Sequence, residues 1–195
     1  YLVPLEFRGI TTALAAGNET NKEFEDDLAQ GVGLQVYMCD RSSSEGAFTT
    51  PWDREQQSLR KCWLGDDPSP DFLSINEWIR ETAPSDDFLL KMDIEGYEYS
   101  NLLSIADEWL ARIRILVVEF HFLHLMARPE FFFLAFQPVI DRLLKRFDVV
   151  HLHPNNYQSS AKLGESFVVP RVVEATFMRK DGSSACRAAP RAPVI

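Results

Sequence analysis

The sequence predicts an α/β fold in which a mostly parallel sheet is covered by helices on both faces. Strand-like and helix-like segments alternate along the chain, as they do when helical crossovers join parallel strands. Ile113–Phe120 is nearly all apolar, which is typical of a central strand buried on both faces. Polar residues follow several predicted strands, as expected where a ligand site lies at one edge of such a sheet. With 195 residues, the chain suffices for one domain with a sizeable core.

The first part of the chain predicts two strands separated by a helix. Residues 11–16 form a strand that runs into Gly17-Asn18-Glu19-Thr20. Residues 22–30 carry apolar side chains at helical spacing and stop at a glycine, and residues 34–39 form a second strand that ends on Asp40. The stretch 41–70 is rich in Ser, Pro and Asp, so it predicts loops with one short strand near residues 61–64.

Two helices and a strand are predicted next. Ser74 and Glu77 have capping-box spacing, which predicts a short helix over residues 74–81. Residues 87–93 form a strand. After Gly96, one helical stripe predicts a continuous helix from the apolar residues Tyr99, Leu102, Leu103, Ala106, Trp109 and Leu110.

The last part predicts a long helix and two closing strands. Residues 131–147 have a helical pattern in which Pro138 either kinks the helix or starts its second half. Residues 148–153 and 172–178 are the two strands. The connection between them, 154–170, is longer than ordinary connections, which suggests a functional segment. One domain is therefore expected over residues 1–181, with 182–195 as a flexible C-terminal tail.

Composition limits the classes of function and of site. A net charge of −9 and a pI of about 4.9 argue against nucleic-acid binding and favour a small or neutral substrate. Cys39, Cys62 and Cys186 have no CxxC spacing and no matched histidines, which excludes a disulfide framework and a zinc site. One or two of the cysteines are therefore predicted to be buried thiols, and no metal site is predicted.

The compartment is weakly constrained. No apolar run reaches the ~18 residues that a membrane span needs, and no signal peptide is evident at Tyr1. An upstream targeting or anchor segment is an open alternative, because the sequence does not begin with methionine. Asn18-Glu19-Thr20 is a formal glycosylation sequon in a predicted ligand loop, where a glycan would obstruct the site. This favours the cytoplasm weakly.

Gly17 and Asp40 suggest a nucleoside-containing cofactor. A glycine after the first strand allows close approach of a ligand to the backbone, and an acid at the end of the second strand accepts hydrogen bonds from ribose hydroxyls. The chain has no G-x-G-x-x-G, and Ala15 stands where a first glycine is expected. A plain strand-to-helix turn at Gly17 and a solvated strand end at Asp40 therefore remain alternatives.

The segment Asp93-Ile94-Glu95-Gly96 carries a more specific signal. With Glu98 it places three acids around a glycine, directly after an apolar strand. Carboxylates suit a helix N-terminus, but capping needs one and not three. Asp93 is therefore predicted to face the reactive end of the cofactor, while Glu95 braces the turn or contacts the substrate.

Further candidates follow the later strands. Glu119 lies in an apolar strand, where an ionised carboxylate needs a partner or a pocket, unless it lies just beyond the sheet edge and reaches water. His121 is either a proton acceptor or a structural histidine. His153, with Asn155 and Asn156, offers a proton acceptor beside amide donors, although Pro154-Asn155-Asn156 also suits a plain turn.

These segments together resemble the FkbM-type methyltransferases that use S-adenosylmethionine (SAM). Lys91-Met92-Asp93-Ile94-Glu95-Gly96-Tyr97-Glu98, a helix, and then Leu116-Val117-Val118-Glu119-Phe120-His121 are similar to the core of that family. Ala16-Gly17-Asn18-Glu19 resembles its first glycine loop, and residues 150–157 and 172–180 resemble the closing strands of eukaryotic relatives. The resemblance extends to Asp181, although residues 42–70 match little.

The resemblance implies a class I methyltransferase (Rossmann-like) fold with seven strands, the last of them antiparallel. It also implies S-adenosyl-L-methionine as cofactor and O-methylation of a hydroxyl on a small molecule or sugar. The cofactor side would comprise Gly17, Asn18, Glu19, Asp40 and Asp93, and the acceptor side Glu95, Glu119, His121, His153, Asn155 and Asn156. Methyl transfer is an in-line displacement, so we hypothesise that His153 or His121 takes the acceptor's proton while Asp93 and Glu119 organise the pocket.

Two rival functions are weighed against this one. The single glycine of the first loop also suits a catalytically inactive methyltransferase-like subunit that acts as a structural or interaction protein in a larger assembly. Gly17 and Asp40 also suit a dinucleotide-dependent oxidoreductase, which leaves the acids between Asp93 and Glu98 unexplained. Binding of SAM separates the enzyme from the structural subunit.

Overall fold

A computed structural model describes residues 1–82, 86–155, 157–163 and 167–180. Within these residues a seven-stranded sheet has the order β3-β2-β1-β4-β5-β7-β6. Strand β7 is antiparallel to both of its neighbours, and the other adjacent pairs are parallel. The strands are β1 (Ile10–Ala16), β2 (Gln35–Cys39), β3 (Gln57–Arg60), β4 (Asp87–Met92), β5 (Ile113–Phe120), β6 (Phe147–Pro154) and β7 (Val173–Arg179).

Short helices connect the strands. The α-helices are α1 (Glu23–Asp26), α2 (Ile75–Thr82), α3 (Glu98–Ser104), α4 (Asp107–Leu110), α5 (Pro129–Phe131) and α6 (Gln137–Arg146). α1 continues as a π-helical turn over Asp27–Val32, and a second π-helical turn, Phe132–Phe136, joins α5 to α6. A 3₁₀-helix, Leu123–Ala127, follows β5.

The sheet divides the core into two apolar layers, as expected from the alternation of side chains along a strand. Along β4, Phe88, Leu90 and Met92 pack on the face that carries α2, α3 and α6, while Leu89 packs on the opposite face. On that face, the sheet is covered by loops and by the π-helical turn that continues α1, which contributes Leu28. The prediction of a mixed α/β fold with a mostly parallel sheet is therefore confirmed.

The third strand of the sheet lies where the sequence predicted loops. β3 is a short edge strand whose residues alternate between buried and exposed, so its apolar signal is weak. The strand predicted near residues 61–64 does exist as Trp63–Leu64, but it pairs with Phe72–Leu73 in a separate small sheet. The long connection before β7 likewise contains two paired antiparallel strands, Ser160–Leu163 and Phe167–Pro170.

The helix predicted after Gly96 is broken in two at Ile105. Asn76 bridges the break: its amide donates to the Ser104 carbonyl at 2.8 Å, and its Oδ1 accepts from the Ala106 N–H at 2.8 Å. Arg142 donates to the Leu102 carbonyl at 2.8 Å. These distant side chains satisfy backbone groups that would have been paired within a continuous helix. The prediction of one continuous helix from the apolar stripe was therefore wrong.

Other local predictions are confirmed. Ser74 Oγ accepts from the Glu77 N–H at 3.3 Å and donates to the Glu77 carboxylate at 2.8 Å. Pro138 lies in the first turn of α6 and so starts the second half of the long helical segment. Cys39 and Cys62 are buried free thiols. Cys186 and the predicted tail lie outside the described residues. Over those residues, every helix is too short or too polar to cross a bilayer.

Candidate functional site

A cleft of about 990 Å³ opens at the carboxyl ends of the strands. Strand order reverses between β1 and β4, because β2 and β3 extend the sheet on one side and β5, β7 and β6 on the other. Such a switch point is where open α/β sheets bind ligands. The lining includes Tyr1, Gly17, Asn18, Glu19, Glu25, Asp40, Cys62, Trp63, Lys91, Asp93, Glu95, Glu119, His121 and Asn155. Most of the predicted site residues are therefore brought together.

Gly17 packs against the backbone of Asp93 at this switch point. Its φ is +76°, and a Cβ there would lie 1.6 Å from the Asp93 carbonyl oxygen. The Asp93 N–H donates to the Ala16 carbonyl at 3.0 Å, which continues the pairing of β1 with β4. Glycine is therefore required by the close approach of two loops, an explanation different from the ligand approach that the sequence suggested.

Asp40 holds the loop that follows β1 in place. Its Oδ2 accepts from the N–H groups of Asn18 and Glu19, each at 2.8 Å, and its Oδ1 accepts from the N–H of Ser42 at 2.7 Å. The hydroxyls of Ser42 and Ser43 add further bonds. Burial alone would raise the pKa of Asp40, but these donors outweigh it and lower the pKa to about 2. Asp40 is therefore an ionised anchor for the loop that follows β1.

Asn18 is buried beside the cleft with a side chain that lacks partners. It is 5% exposed, and neither its Oδ1 nor its Nδ2 has a hydrogen-bond partner within the part of the chain that the structure describes. Buried amides are normally hydrogen-bonded, so such a group at a cleft suggests that a ligand supplies the partner. The neighbouring Glu19 also lines the cleft, and its φ is +47°.

Lys91 and Glu25 form a buried ion pair in the cleft wall that the sequence analysis missed. Lys91 Nζ lies 3.6 Å from Glu25 Oε1, and both side chains are less than 5% exposed. Nζ also donates to the Gly17 carbonyl and lies 5.3 Å from the ring centroid of Tyr1. A lysine within the otherwise apolar run from Phe88 to Met92 was the signal in the sequence, because a buried ammonium needs a specific partner.

The Tyr1 hydroxyl lies between two carboxylates on neighbouring strand ends. It donates to Asp93 Oδ2 at 2.6 Å and is 3.0 Å from Glu119 Oε2. Asn155 Nδ2 donates to Glu119 Oε1 at 2.7 Å. Burial and the charge of Asp93 raise the pKa of Glu119, although bonds from Asn155 and Tyr1 oppose the shift. Burial and both carboxylates also raise the pKa of Tyr1 well above its ordinary value, so Tyr1 keeps its proton.

His121 is held by Glu98, a residue to which the sequence analysis gave no role in the site. His121 Nδ1 lies 2.9 Å from Glu98 Oε1. The same Glu98 oxygen accepts from the N–H groups of Ile94 and Gly96, at 2.9 and 3.2 Å. Burial would lower the pKa of His121, but the bond to Glu98 and the surrounding carboxylates raise it to about 9. The acids of the Asp93-to-Glu98 segment therefore surround one histidine.

One predicted residue among those that the structure describes, His153, is not brought into the cleft. His153 lies on β6 opposite Glu174 of β7, its ring stacks on that of His151 at 6.2 Å, and it is absent from the lining of the cleft. Asn156 lies outside the described residues. Glu95 does reach the cleft with its side chain 75% exposed, from a backbone with a φ of +55°.

One protein-family model matches most of this chain. The model of the methyltransferase FkbM domain matches residues 7–160. The chain belongs to the FkbM methyltransferase family. The match includes the loops after β1, β2, β4 and β5, so it covers the cleft walls that Gly17, Asp40, Asp93 and Glu119 form. No curated protein matched the chain. Membership supports methyl transfer as the class of reaction and implies a methyl donor.

Proposed function

We propose that this protein is an S-adenosylmethionine-dependent methyltransferase that methylates a hydroxyl of a small molecule or sugar. The observation that carries the proposal is the cleft at the β1–β4 switch point of an FkbM domain, with Gly17, Asp40 and Asp93 at the three adjacent strand ends. The strand order and the antiparallel β7 also agree with the class I methyltransferase (Rossmann-like) topology that the family resemblance implies.

The residues of the cleft fit SAM. A cleft of about 990 Å³ is at the upper end of the range for cofactor sites, so it leaves room for an acceptor. The unpartnered amide of Asn18 and the backbone at Gly17 would hold the methionine part. The ribose would lie beside Asp40, whose carboxylate serves mainly by fixing the loop of Asn18 and Glu19. Asp93 would form the wall next to the sulfonium.

The position of the Tyr1 hydroxyl supports a hydroxyl acceptor. A hydroxyl fits between Asp93 and Glu119, with 2.6 and 3.0 Å to their oxygens. When bound, SAM supplies a methyl group on a positively charged sulfur. The chain's own residues then align the acceptor oxygen in line with that methyl and take its proton. We propose that Glu119 takes the proton, because its Oε2 lies 3.0 Å from a hydroxyl in this position and because burial and the charge of Asp93 raise its pKa, which favours proton uptake.

Direct titration of the intact chain with SAM and with S-adenosylhomocysteine by calorimetry tests the cofactor assignment. Saturable binding of both, with a rise in the unfolding temperature, is the expected result, because a ligand that binds only the native state stabilises it. If neither ligand binds, the enzyme proposal fails and the alternative of an inactive, structural subunit is favoured.

The acceptor class is tested with methyl-labelled SAM and three acceptor panels: phenols, sugars and carboxylic acids. The expected result is label in an ether that survives base, because a methyl ether is stable where a methyl ester is hydrolysed. Labelled product that is lost in base would indicate a carboxylate acceptor and overturn the hydroxyl assignment.

A further inference from the structure

The orientation of the His121 ring leaves one nitrogen for a cation. Nδ1 lies 2.9 Å from Glu98 Oε1 and 3.1 Å from the Glu119 carbonyl oxygen. A carboxylate and a carbonyl only accept, so Nδ1 carries a proton. Nε2 therefore faces the other way, 3.4 Å from Glu95 Oε2 and 4.0 Å from Asp93 Oδ1. A bare lone pair would be repelled by two carboxylates, so Nε2 either carries a proton or binds a metal ion.

The charge around the ring is strongly negative. Asp93, Glu95 and Glu98 each have an oxygen within 4.0 Å of a His121 nitrogen. Lys91, a cation that also lines the cleft, is paired with Glu25. A proton on Nε2 neutralises one carboxylate and leaves an excess of negative charge. A divalent cation would compensate more of it.

We propose that Asp93, Glu95 and His121 form a binding site for a divalent first-row transition-metal ion. Oxygens of Asp93 and Glu95 and a ring nitrogen of His121 lie within 4.8 Å of one another, which suits three ligands around one ion. Two carboxylates and one imidazole suit Mn²⁺, Fe²⁺, Co²⁺ or Zn²⁺ better than Mg²⁺ or Ca²⁺, which prefer oxygen ligands alone.

Two features of His121 support this site. The His121 side chain is 8% exposed, and its Nε2 lies 3.4 Å from Glu95 Oε2 and 4.0 Å from Asp93 Oδ1, the oxygens of the other two proposed ligands. Glu98 holds the opposite ring nitrogen, which is the arrangement that orients metal-binding histidines through a carboxylate. Tyr1 bonds to Oδ2 of Asp93, so Oδ1 is left for the ion.

The site was not predicted because its ligands come from two strand ends. Asp93 and Glu95 follow β4, and His121 follows β5, so no short motif contains the set. Glu95 is 75% exposed, so the open side of the ion would face the cleft. There it would bind the acceptor oxygen and make its proton easier to remove. Only this use of the ion rests on the proposed function; binding of the ion does not.

The test is equilibrium dialysis of the intact, chelator-treated chain against Mn²⁺, Co²⁺ or Zn²⁺, with no SAM present. We expect one ion per chain, and Co²⁺ should show the visible absorption of an ion with a nitrogen ligand. Glu95→Gln and His121→Gln should each abolish saturable binding. Glu98→Gln keeps an oxygen acceptor for Ile94 and Gly96 and should weaken binding by about 10- to 100-fold.

Controls separate ligation from general loss of negative charge or of the fold. Glu23→Gln and Asp27→Asn remove carboxylates that line the same cleft away from His121, and they should leave metal binding unchanged. Glu95→Gln changes an exposed side chain, so it keeps the test informative if His121→Gln unfolds.

The proposal is overturned if none of the three ions binds saturably, or if Glu95→Gln and His121→Gln bind them like the parent chain. The cluster would then be an imidazolium–carboxylate ion pair. Metal binding without SAM binding would instead overturn only the proposed function.

Discussion

Gly17 and Asp93 lie on the strand ends of β1 and β4, and their backbones are in contact. A Cβ at residue 17 would lie 1.6 Å from the Asp93 carbonyl oxygen, far inside van der Waals distance. This contact fixes the loop after β1 against the loop that carries Asp93, Glu95 and Glu98. The geometry of the cleft therefore depends on the absence of one side chain.

Gly17→Ala should be one of the most destabilising single changes in this chain. The clash with backbone adds to the cost of a positive φ, so we expect a loss of about 4 kcal/mol or more, or failure to fold. Gly33→Ala is the matched control, because its φ is +81° and nothing lies within 4 Å of the added Cβ. It should cost only about 1 kcal/mol. Denaturant unfolding measures both, and equal losses would contradict the contact.

Asp40→Asn should loosen the loop of Asn18 and remove part of the acid sensitivity of folding. The pKa of Asp40 lies at about 2, below its ordinary 3.8, so its contribution is present above pH 3.8 and is lost as pH falls toward 2. A shift of this size corresponds to about 2 kcal/mol. Unfolding free energies of the parent and variant should therefore converge over that pH range. Asp71→Asn, at an exposed ion pair with Arg41, should change stability by less than about 0.5 kcal/mol.

Lys91→Met should be strongly destabilising because it leaves Glu25 buried without its cation. The expected loss is about 3–5 kcal/mol, and the double variant Lys91→Met with Glu25→Gln should lose less than the sum of the two single variants. Arg54→Met breaks an exposed pair with Glu45 and should cost no more than about 1 kcal/mol. Thermal and denaturant unfolding of the five proteins checks this, and strict additivity at Lys91 and Glu25 would count against a coupled pair.

Glu119→Gln should separate proton transfer from cofactor binding. The amide keeps an oxygen for Asn155 but accepts protons poorly, so single-turnover methylation should fall by about 10²- to 10⁴-fold while S-adenosylhomocysteine affinity stays within a few fold. Glu174→Gln is the control, because Glu174 pairs with Glu119 across β7 and β5 and does not line the cleft. Full activity in Glu119→Gln would remove Glu119 as the base.

His153→Ala should keep single-turnover methylation, because His153 does not line the cleft. The sequence alone offered His153 and His121 as equal candidates for the base. A loss of activity in His153→Ala, with S-adenosylhomocysteine binding and stability retained, would restore the role first suggested for His153. Rates like those of the parent chain would indicate that a group at the end of β4 or β5 takes the acceptor's proton.

The sequence alone determined the type of fold and most of the residues at the cleft. Alternation of elements predicted the sheet, and the rule that ligands bind at strand ends predicted that Gly17, Asp40, Asp93 and Glu119 would meet. These features could be predicted because each depends on residues that lie close together in the sequence. The capping of α2 by Ser74 and Glu77 was predicted for the same reason.

Only the tertiary structure decided the partners within the cleft. Tyr1 contacts Asp93 across 92 positions of sequence, Lys91 pairs with Glu25, and Glu98 orients His121 from the start of α3. The break at Ile105 likewise depends on the side chain of Asn76, 30 residues from the Ala106 N–H that it accepts. Hydrogen bonds and ion pairs act over a few ångströms of space, whatever the separation along the chain. The order of the strands in the sheet therefore determines which residues become partners. That order cannot be deduced from the spacing of residues in the sequence.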